Sequence, residues 1–467
     1  MTETLASTPA GGSGPGQADP TARPGPVLLA LVSVVLSYGL MQTMLVPTIG
    51  ALQRELRTTA AAASWAVLSA TLLASAVLTP VVGRLGDRFG KRRVLRFCLG
   101  IYLFGTVGAA LAPGVGVLIG FRAVQGISLA LLPLSFALVR ELLPAERVPF
   151  GLALTSGLVG GAAGAGLLMG GVLVDHVSWR WLFIVGAVLI VAAWVLTEAF
   201  VPPDSPGSPG RPDLPGVLAL TVGLVALLLG ITEGPSWGWR SVGVLGLFGL
   251  AAVALLGFGV IERRTADPLI DLGLLARRPL LIAHLGALTL GANQFICYVL
   301  VPRLAESPRA AGTGEGFGLT VTGAALVLLP GTLLTLPSSW LAAPLERRFG
   351  TRTALVSGLV LAAAGGLLLA VWHGQLWQVV LCYLVASVGY GFAMAALPRL
   401  VNQASPVEHS GSANGVNTVA RVLGGAIGSQ FGAAVLTGAG GFGTAFGLAA
   451  GVAAVGGVLA LFAGARG

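Results

Sequence analysis

Fourteen stretches of about twenty apolar residues recur along this chain, separated by short polar gaps, and they limit its fold more tightly than any other feature. They fall near 26–50, 63–82, 94–112, 114–139, 150–174, 181–201, 215–232, 240–261, 280–301, 318–343, 353–372, 377–398, 412–436 and 443–464. An α-helix of about 20 residues spans the roughly 30 Å hydrocarbon core of a bilayer. Inside lipid a backbone must satisfy its own hydrogen bonds, which leaves helices and closed barrels. Barrel strands would alternate apolar and polar residues over about ten positions, whereas these runs are unbroken. The chain therefore reads as an all-α polytopic membrane protein. Composition agrees: 55% of the 467 residues are hydrophobic and only 10% are charged, against about 25% charged in a soluble domain. The 70 glycines suit helices that approach closely, because lipid supplies no hydrophobic push between them.

The net charge of +9 could suggest a nucleic-acid partner, but its distribution excludes one. The basic residues sit in gaps between runs, which is how a membrane protein is oriented. With the N-terminus placed in the cytoplasm, the cytoplasmic gaps hold nineteen Lys and Arg and the outer gaps six. An even number of spans returns the C-terminus to the same side. A composition rich in Gly, Ala and Arg with a single lysine suggests a GC-rich bacterial genome, hence a multi-pass protein of the cell's inner membrane. Cys98, Cys297 and Cys382 each fall in an apolar run without metal-ligand spacing, so they read as small buried residues. Neither a metal nor a cofactor is expected.

The organisation follows from breaks in the runs. Residues 1–25 are rich in Pro, Gly, Ser and Thr, and lack the basic and apolar regions of a signal peptide. They read as a disordered cytoplasmic tail. Residues 26–201 hold six spans. Residues 202–279 hold a Pro-rich linker, an inserted helix pair and a long cytoplasmic connection. In that connection Leu269, Ile270, Leu272, Leu274 and Leu275 stand among charges, and an amphipathic helix along the membrane surface is expected. Residues 280–467 hold six more spans. An internal repeat supports the division: at an offset of 260, Leu85, Arg88, Phe89, Gly90 and Arg92 recur as Leu345, Arg348, Phe349, Gly350 and Arg352, each set following the second span of its half. Related halves place a transporter's site between them near the midplane.

Gly83-Arg84-Leu85-Gly86-Asp87-Arg88-Phe89-Gly90-Lys91-Arg92-Arg93 closely resembles the loop G-x-L-x-D-R-x-G-[RK]-[RK] of the major facilitator superfamily. Arg122-Ala123-Val124-Gln125-Gly126, Ser178-Trp179-Arg180-Trp181-Leu182-Phe183, Asp267-Pro268-Leu269-Ile270-Asp271-Leu272 and Asn417 to Gly425 resemble patterns of its fourteen-span drug:proton antiporter, or multidrug efflux, branch. The resemblance covers nearly everything from about residue 26 onward. It implies two six-helix bundles plus two inserted helices, with alternating access between them. Two departures stand out. Gly166-Leu167-Leu168-Met169-Gly170-Gly171 lacks the proline of the branch's span-five motif, and span one carries no acid near Tyr38 to Thr43.

Candidate functional residues follow. Asp87 stands beside a cationic cluster, where a carboxylate can cap a helix N-terminus and pair with arginine. The resemblance implies that Asp87 and Arg88, with Gly83, Gly90 and Arg92, form a gating loop that locks the outward-open state. The glycines would permit a tight turn and close approach. Arg122 and Arg421 are intramembrane charges, functional by default or else paired with backbone carbonyls. Arg421, nearer the start of its span, could also snorkel to the interface. Gly166, Gly170 and Gly171 are hinge candidates by resemblance and packing glycines by composition. Tyr38 and Gln42 share one face of span one, as Gln294 and Tyr298 share one face of span nine. With Asn293 and His284 they are candidates for the substrate cavity, or for plain interhelical hydrogen bonds worth about 0.6 kcal/mol each.

The reading is a secondary transporter exporting small hydrophobic or amphipathic molecules, acting as a monomer, with protons as the coupling ion. No acid lies at a span centre, so either coupling uses an end-placed acid or His284, or the protein is not proton-coupled. A facilitator importing a polar or anionic metabolite is the second reading, and a non-transporting membrane sensor or scaffold the third. No P-loop, paired carboxylates or nucleophile constellation points to an enzyme or an ATP-driven pump.

Overall fold

The structure is a computed structural model describing residues 24–45, 48–58, 62–63, 65–203, 213–265, 268–309, 316–437 and 441–462. All but the last two residues of the expected N-terminal tail, which open the first helix, and most of the Pro-rich linker lie outside them. Every regular element described is helical. Fourteen long helices follow one another: α1 Pro24–Met44, α2 Ala70–Phe89, α3 Lys91–Ala110, α4 Val115–Leu142, α5 Val148–His176, α6 Arg180–Phe200 and α7 Leu214–Trp237. The rest are α8 Val242–Arg264, α9 Arg278–Glu306, α10 Val321–Phe349, α11 Thr351–Val371, α12 Leu376–Ala404, α13 Ser410–Thr437 and α14 Gly441–Phe462. All but α13 are long and apolar enough to cross a membrane on their own composition. The first half of α13 carries Ser410, Ser412, Asn414, Asn417, Thr418 and Arg421, all buried. It packs against α2, α4, α7 and α9, so protein rather than lipid surrounds those polar groups.

Two helices are less regular. A π-helical turn, Trp65–Ser69, leads into α2, and a 3₁₀ stretch, Gly126–Ala130, interrupts α4. Helix ends follow local chemistry. Gly90 (φ 98°) ends α2 and Gly350 (φ 87°) ends α10, a left-handed conformation that glycine adopts at little cost. Both are members of the sequence repeat. Asp213, Ser241 and Thr320 cap α7, α8 and α10 by accepting from Gly216, Val244 and Gly323 N–H.

Two hydrophobic cores form. One joins α1 to α6 through residues such as Leu31, Val35, Leu99, Tyr102 and Phe183. The other joins α9 to α14 through Leu300, Leu328, Leu359, Ala386 and Phe446. The cores meet along two seams, α2 with α13 and α5 with α10. In the first half α1 packs on α5, and in the second α9 packs on α13.

Helices α7 and α8 pair with each other, and α7 lies against both α2 and α13. The outer helix α8 exposes Val242, Val253 and Leu256, as a lipid-facing helix does. Trp65 Nε1 donates to Glu233 Oε1 at 2.7 Å, tying α7 to the entry of α2, and Trp239 stacks on Phe431 of α13 at 6.3 Å. The connection after α8 departs from expectation. Its helix is one turn, Leu272–Leu275, and Leu269, Ile270 and Leu274 are buried against α7, α8, α13 and α9. Glu262 Oε2 accepts the Ile270 N–H at 3.1 Å. Those leucines cover a protein groove instead of lying on lipid, so the segment is a strap and not a surface helix.

Candidate functional site

The arginine-rich ends of the two bundles are joined by named bonds. Asp87, at the end of α2, has a side chain only 1% exposed. Its Oδ1 accepts from Gly411 N–H at 3.0 Å and its Oδ2 from Ser412 N–H at 2.9 Å. It thus caps α13, whose first N–H groups have no intrahelical partner. Lys91 Nζ lies 3.5 Å from Asp87 Oδ1 and also pairs with Glu141 at the end of α4. Close approach makes this possible: a Cβ on Gly83 would sit 2.6 Å from the Gly411 carbonyl oxygen. Gly83 therefore lies inside α2 and not in a turn, because Gly90 alone breaks the helix. Arg88 stays with Phe89, its Cζ 5.4 Å from the ring centroid. Arg92 binds α6 through the Glu198 carbonyl and carboxylate, both at 3.1 Å.

Two more arginines cross between the bundles. Arg140, near the end of α4, donates to the Ser405 carbonyl at 3.0 Å. Arg399, near the end of α12, donates to the Pro149 carbonyl and pairs with Glu346. Sequence reasoning assigned both arginines to topology alone. The missed signal is position: each lies just inside the last turns of the fourth span of its half.

Midway along the seam, Arg421 reaches the space between the bundles. It lies about three turns into α13, deeper than a residue snorkelling to the interface. Its guanidinium lies close enough to Tyr38 of α1 and Tyr298 of α9 to interact electrostatically with both. Gln294 Nε2 donates to Tyr298 Oη at 3.1 Å. A cavity of about 20 Å³ sits beside Arg421, lined also by Phe136, Ser156, Met394, Asn417 and Thr418. That volume holds about one water, far below the roughly 300–1,000 Å³ of a drug-sized site. In this conformation the bundles are closed on the site.

The other candidates are placed as follows. Gln42 is half-buried on α1. Asn293 accepts from Tyr390 Oη at 2.8 Å and donates to the Ala449 carbonyl at 2.7 Å, pinning α9 to α12 and α14. The Asn417 amide nitrogen lies 3.3 Å from His284 Nδ1 and donates to the Ala283 carbonyl at 2.9 Å. The His284 Nε2 is buried without a partner. Arg122, 2% exposed, donates to the Ala66 and Val67 carbonyls and to Gln125. It fastens α4 to the π-helical turn and is not among the residues lining the cavity.

The glycines of α5 serve two faces. A Cβ on Gly166 would meet the Leu40 carbonyl oxygen at 2.8 Å, and one on Gly170 would overlap the Met44 carbonyl, so this pair faces α1. Gly157, Gly160, Gly164 and Gly171 face Ser339, Thr335, Thr332 and Thr322 of α10. The second half repeats the first face: Gly424 and Gly428 press on the Leu288 and Ala292 carbonyls of α9.

The sequence matches the Major Facilitator Superfamily over residues 31–429 and again over 283–466. The chain belongs to that superfamily. Its members are transporters, and this chain is accordingly a multi-pass membrane protein. It is 34% identical over 431 residues to the puromycin resistance protein pur8 of Streptomyces alboniger, covering 88% of this chain and 81% of that protein. It is 29% identical over 422 residues to the tetracenomycin C resistance and export protein of Streptomyces glaucescens, covering 87% and 75%. Among solved structures, the human organic anion transporter MFSD10 (TETRAN) superposes with a TM-score of 0.67 at 16% identity, over 94% of this chain and 99% of that one. The proton:xylose symporter XylE superposes at 0.63 and 16% identity, over 93% and 94%. At such identity these two carry the fold alone.

Proposed function

We propose that this major facilitator is a secondary active exporter of small hydrophobic or amphipathic molecules, antibiotics among them, working by alternating access and driven by protons. The observation that carries the reading is the Asp87 cap on α13, since it joins the two bundles at one end by bonds that separation would break. The resistance and export activities named for the two Streptomyces relatives support the direction and the cargo. The arginine-rich end is the cytoplasmic one on this reading, with both termini there and the bilayer being the inner membrane. The closed state would be the outward-facing or occluded one, and release of Asp87 opens the inner side. Arg421, Tyr38 and Asn417 would line the opened cavity.

A second reading has its own observation. No acid lines the described cavity, while Arg421 does, which suits an anionic or neutral metabolite better than a cation. The test is drug and dye accumulation in a host stripped of its own pumps, with and without a protonophore. Accumulation lowered by this chain, restored by the protonophore and by Asp87→Asn, is expected. Unchanged accumulation with the protein present in the membrane would remove the export reading and leave the metabolite facilitator.

A further inference from the structure

The α5–α10 seam carries a second, larger pocket at its arginine-rich end. It encloses about 440 Å³, within the range of small-molecule sites. Helix α7 lies against the other seam, α2–α13, and α8 packs on α7, whereas this seam keeps exposed aromatic rings. Phe150 of α5 and Trp340 of α10 stand at its mouth with ring centroids 6.1 Å apart, and both are about half exposed. Trp340, with an apolar ring and a polar N–H, suits a membrane–water interface.

The interior is charged. Arg399 and Glu346 line it with side chains 5% and 6% exposed. Their bond to each other and the Arg399 bond to the Pro149 carbonyl use three of their polar atoms on one another and on α5. Arg399 Nε and Glu346 Oε1 remain buried without a partner. A buried donor and a buried acceptor side by side are costly unless something satisfies both. Glu146 and Arg347 are the other charged residues of the lining, so two acids balance two bases. Such a wall favours neither a cation nor an anion.

We propose that this pocket is a second ligand site, taking a neutral or zwitterionic amphipath with a flat apolar body, entered from the lipid side of the α5–α10 seam. The head would present an acceptor to Arg399 Nε and a donor to Glu346 Oε1, while the body lies against Phe150 and Trp340. Arg399 also holds α5 by the Pro149 carbonyl, so occupancy bears on the bond that closes the seam. The inference deepens the export reading by naming where a membrane-dissolved substrate is first held, and it can be tested without transport.

The experiment is photolabelling of the purified full chain in detergent with 4-benzoylphenylalanine, a zwitterion whose ammonium donates, whose carboxylate accepts and whose benzophenone is the flat apolar body, followed by peptide mapping. Labelling is expected on the peptides containing Phe150 and Trp340. It should fall about three- to tenfold in Trp340→Leu, an exposed position whose change leaves the core intact, as the loss of one aromatic contact predicts. Glu346→Gln should also weaken it, and cationic and anionic analogues should label less. Labelling elsewhere, or labelling indifferent to both variants, overturns the proposal. Competition by a short-chain phosphatidylcholine but not by a neutral aromatic compound would make this a lipid headgroup site and overturn the small-molecule assignment. Labelling here without any effect of the chain on drug accumulation would leave this site standing and sink the export reading instead.

Discussion

Two backbone amides at the start of α13 point at one carboxylate, Asp87, from across the bundle boundary. Hydrogen bonds to a charged group contribute about 1.5–3 kcal/mol each, roughly ten- to a hundredfold in an equilibrium constant. Asp87→Asn keeps an acceptor and a donor but loses the charge. It should shift the protein toward the state with the α2–α13 seam parted, without lowering its amount in the membrane. A cysteine at Gly415, whose Cβ would stand 3.1 Å from the Thr79 carbonyl oxygen in the closed seam, reports this: thiol labelling should rise at least about fivefold in the Asn variant. Unchanged labelling would mean that the cap does not hold the seam. Arg421 makes a second prediction. Arg421→Gln removes the charge that faces Tyr38, and initial export rates in vesicles should fall about tenfold or more. Arg421→Lys, which keeps the charge without the planar fork, should retain part of the rate. Equal loss in both would point to the fork geometry and not the charge. The sequence marked Asp87 and Arg421 because a charge inside or beside an apolar run stands out. It could not show that Arg122 spends its donors on Ala66 and Val67, since the π-helical turn that offers those carbonyls leaves no mark in hydrophobicity.

Among the helices, α5 and α13 are each packed on two sides through glycine. On α5 the pair Gly166 and Gly170 faces α1, and on α13 the pair Gly424 and Gly428 faces α9. A spacing of four puts both members of a pair on one face, and backbones meet directly where no Cβ intervenes. Gly428→Leu should therefore part α9 from α13 and lower the melting temperature in detergent by several degrees, the scale of a loss of 1–3 kcal/mol in overpacking. Gly246→Leu on the lipid face of α8, with no described atom within 4 Å of its Cβ, should leave it unchanged. Equal effects would show that packing at α9–α13 is looser than described. The glycines themselves were legible in the sequence. Their partners were not, because a helix hydrophobic all round does not reveal which face meets which neighbour. The same limit explains the strap after α8: its leucines announced an apolar surface to cover, but both a membrane and the groove of α7, α8 and α13 satisfy that pattern.

For the molecule as a whole, the repeat visible in Leu85–Arg92 and Leu345–Arg352 extends to a bonding plan. Gly90 and Gly350 end equivalent helices, Arg140 and Arg399 cross in opposite directions, and α5–α10 mirrors α13–α2. Long-range pairings of this kind join an arginine to a backbone carbonyl 250 or more residues away, which is why the sequence yielded spans and orientation but not the closure. Closure is what the account turns on. The most direct measurement is the distance between spin labels on Ala145→Cys, in the exposed α4–α5 turn, and Phe349→Cys, at the exposed end of α10. The native cysteines are buried and would be spared the label. In lipid nanodiscs, the account predicts a short distance and a second, longer one whose share grows in Asp87→Asn and changes with pH and with an exported drug. A single distance, unmoved by the variant, by pH or by any drug, would contradict alternating access in this chain.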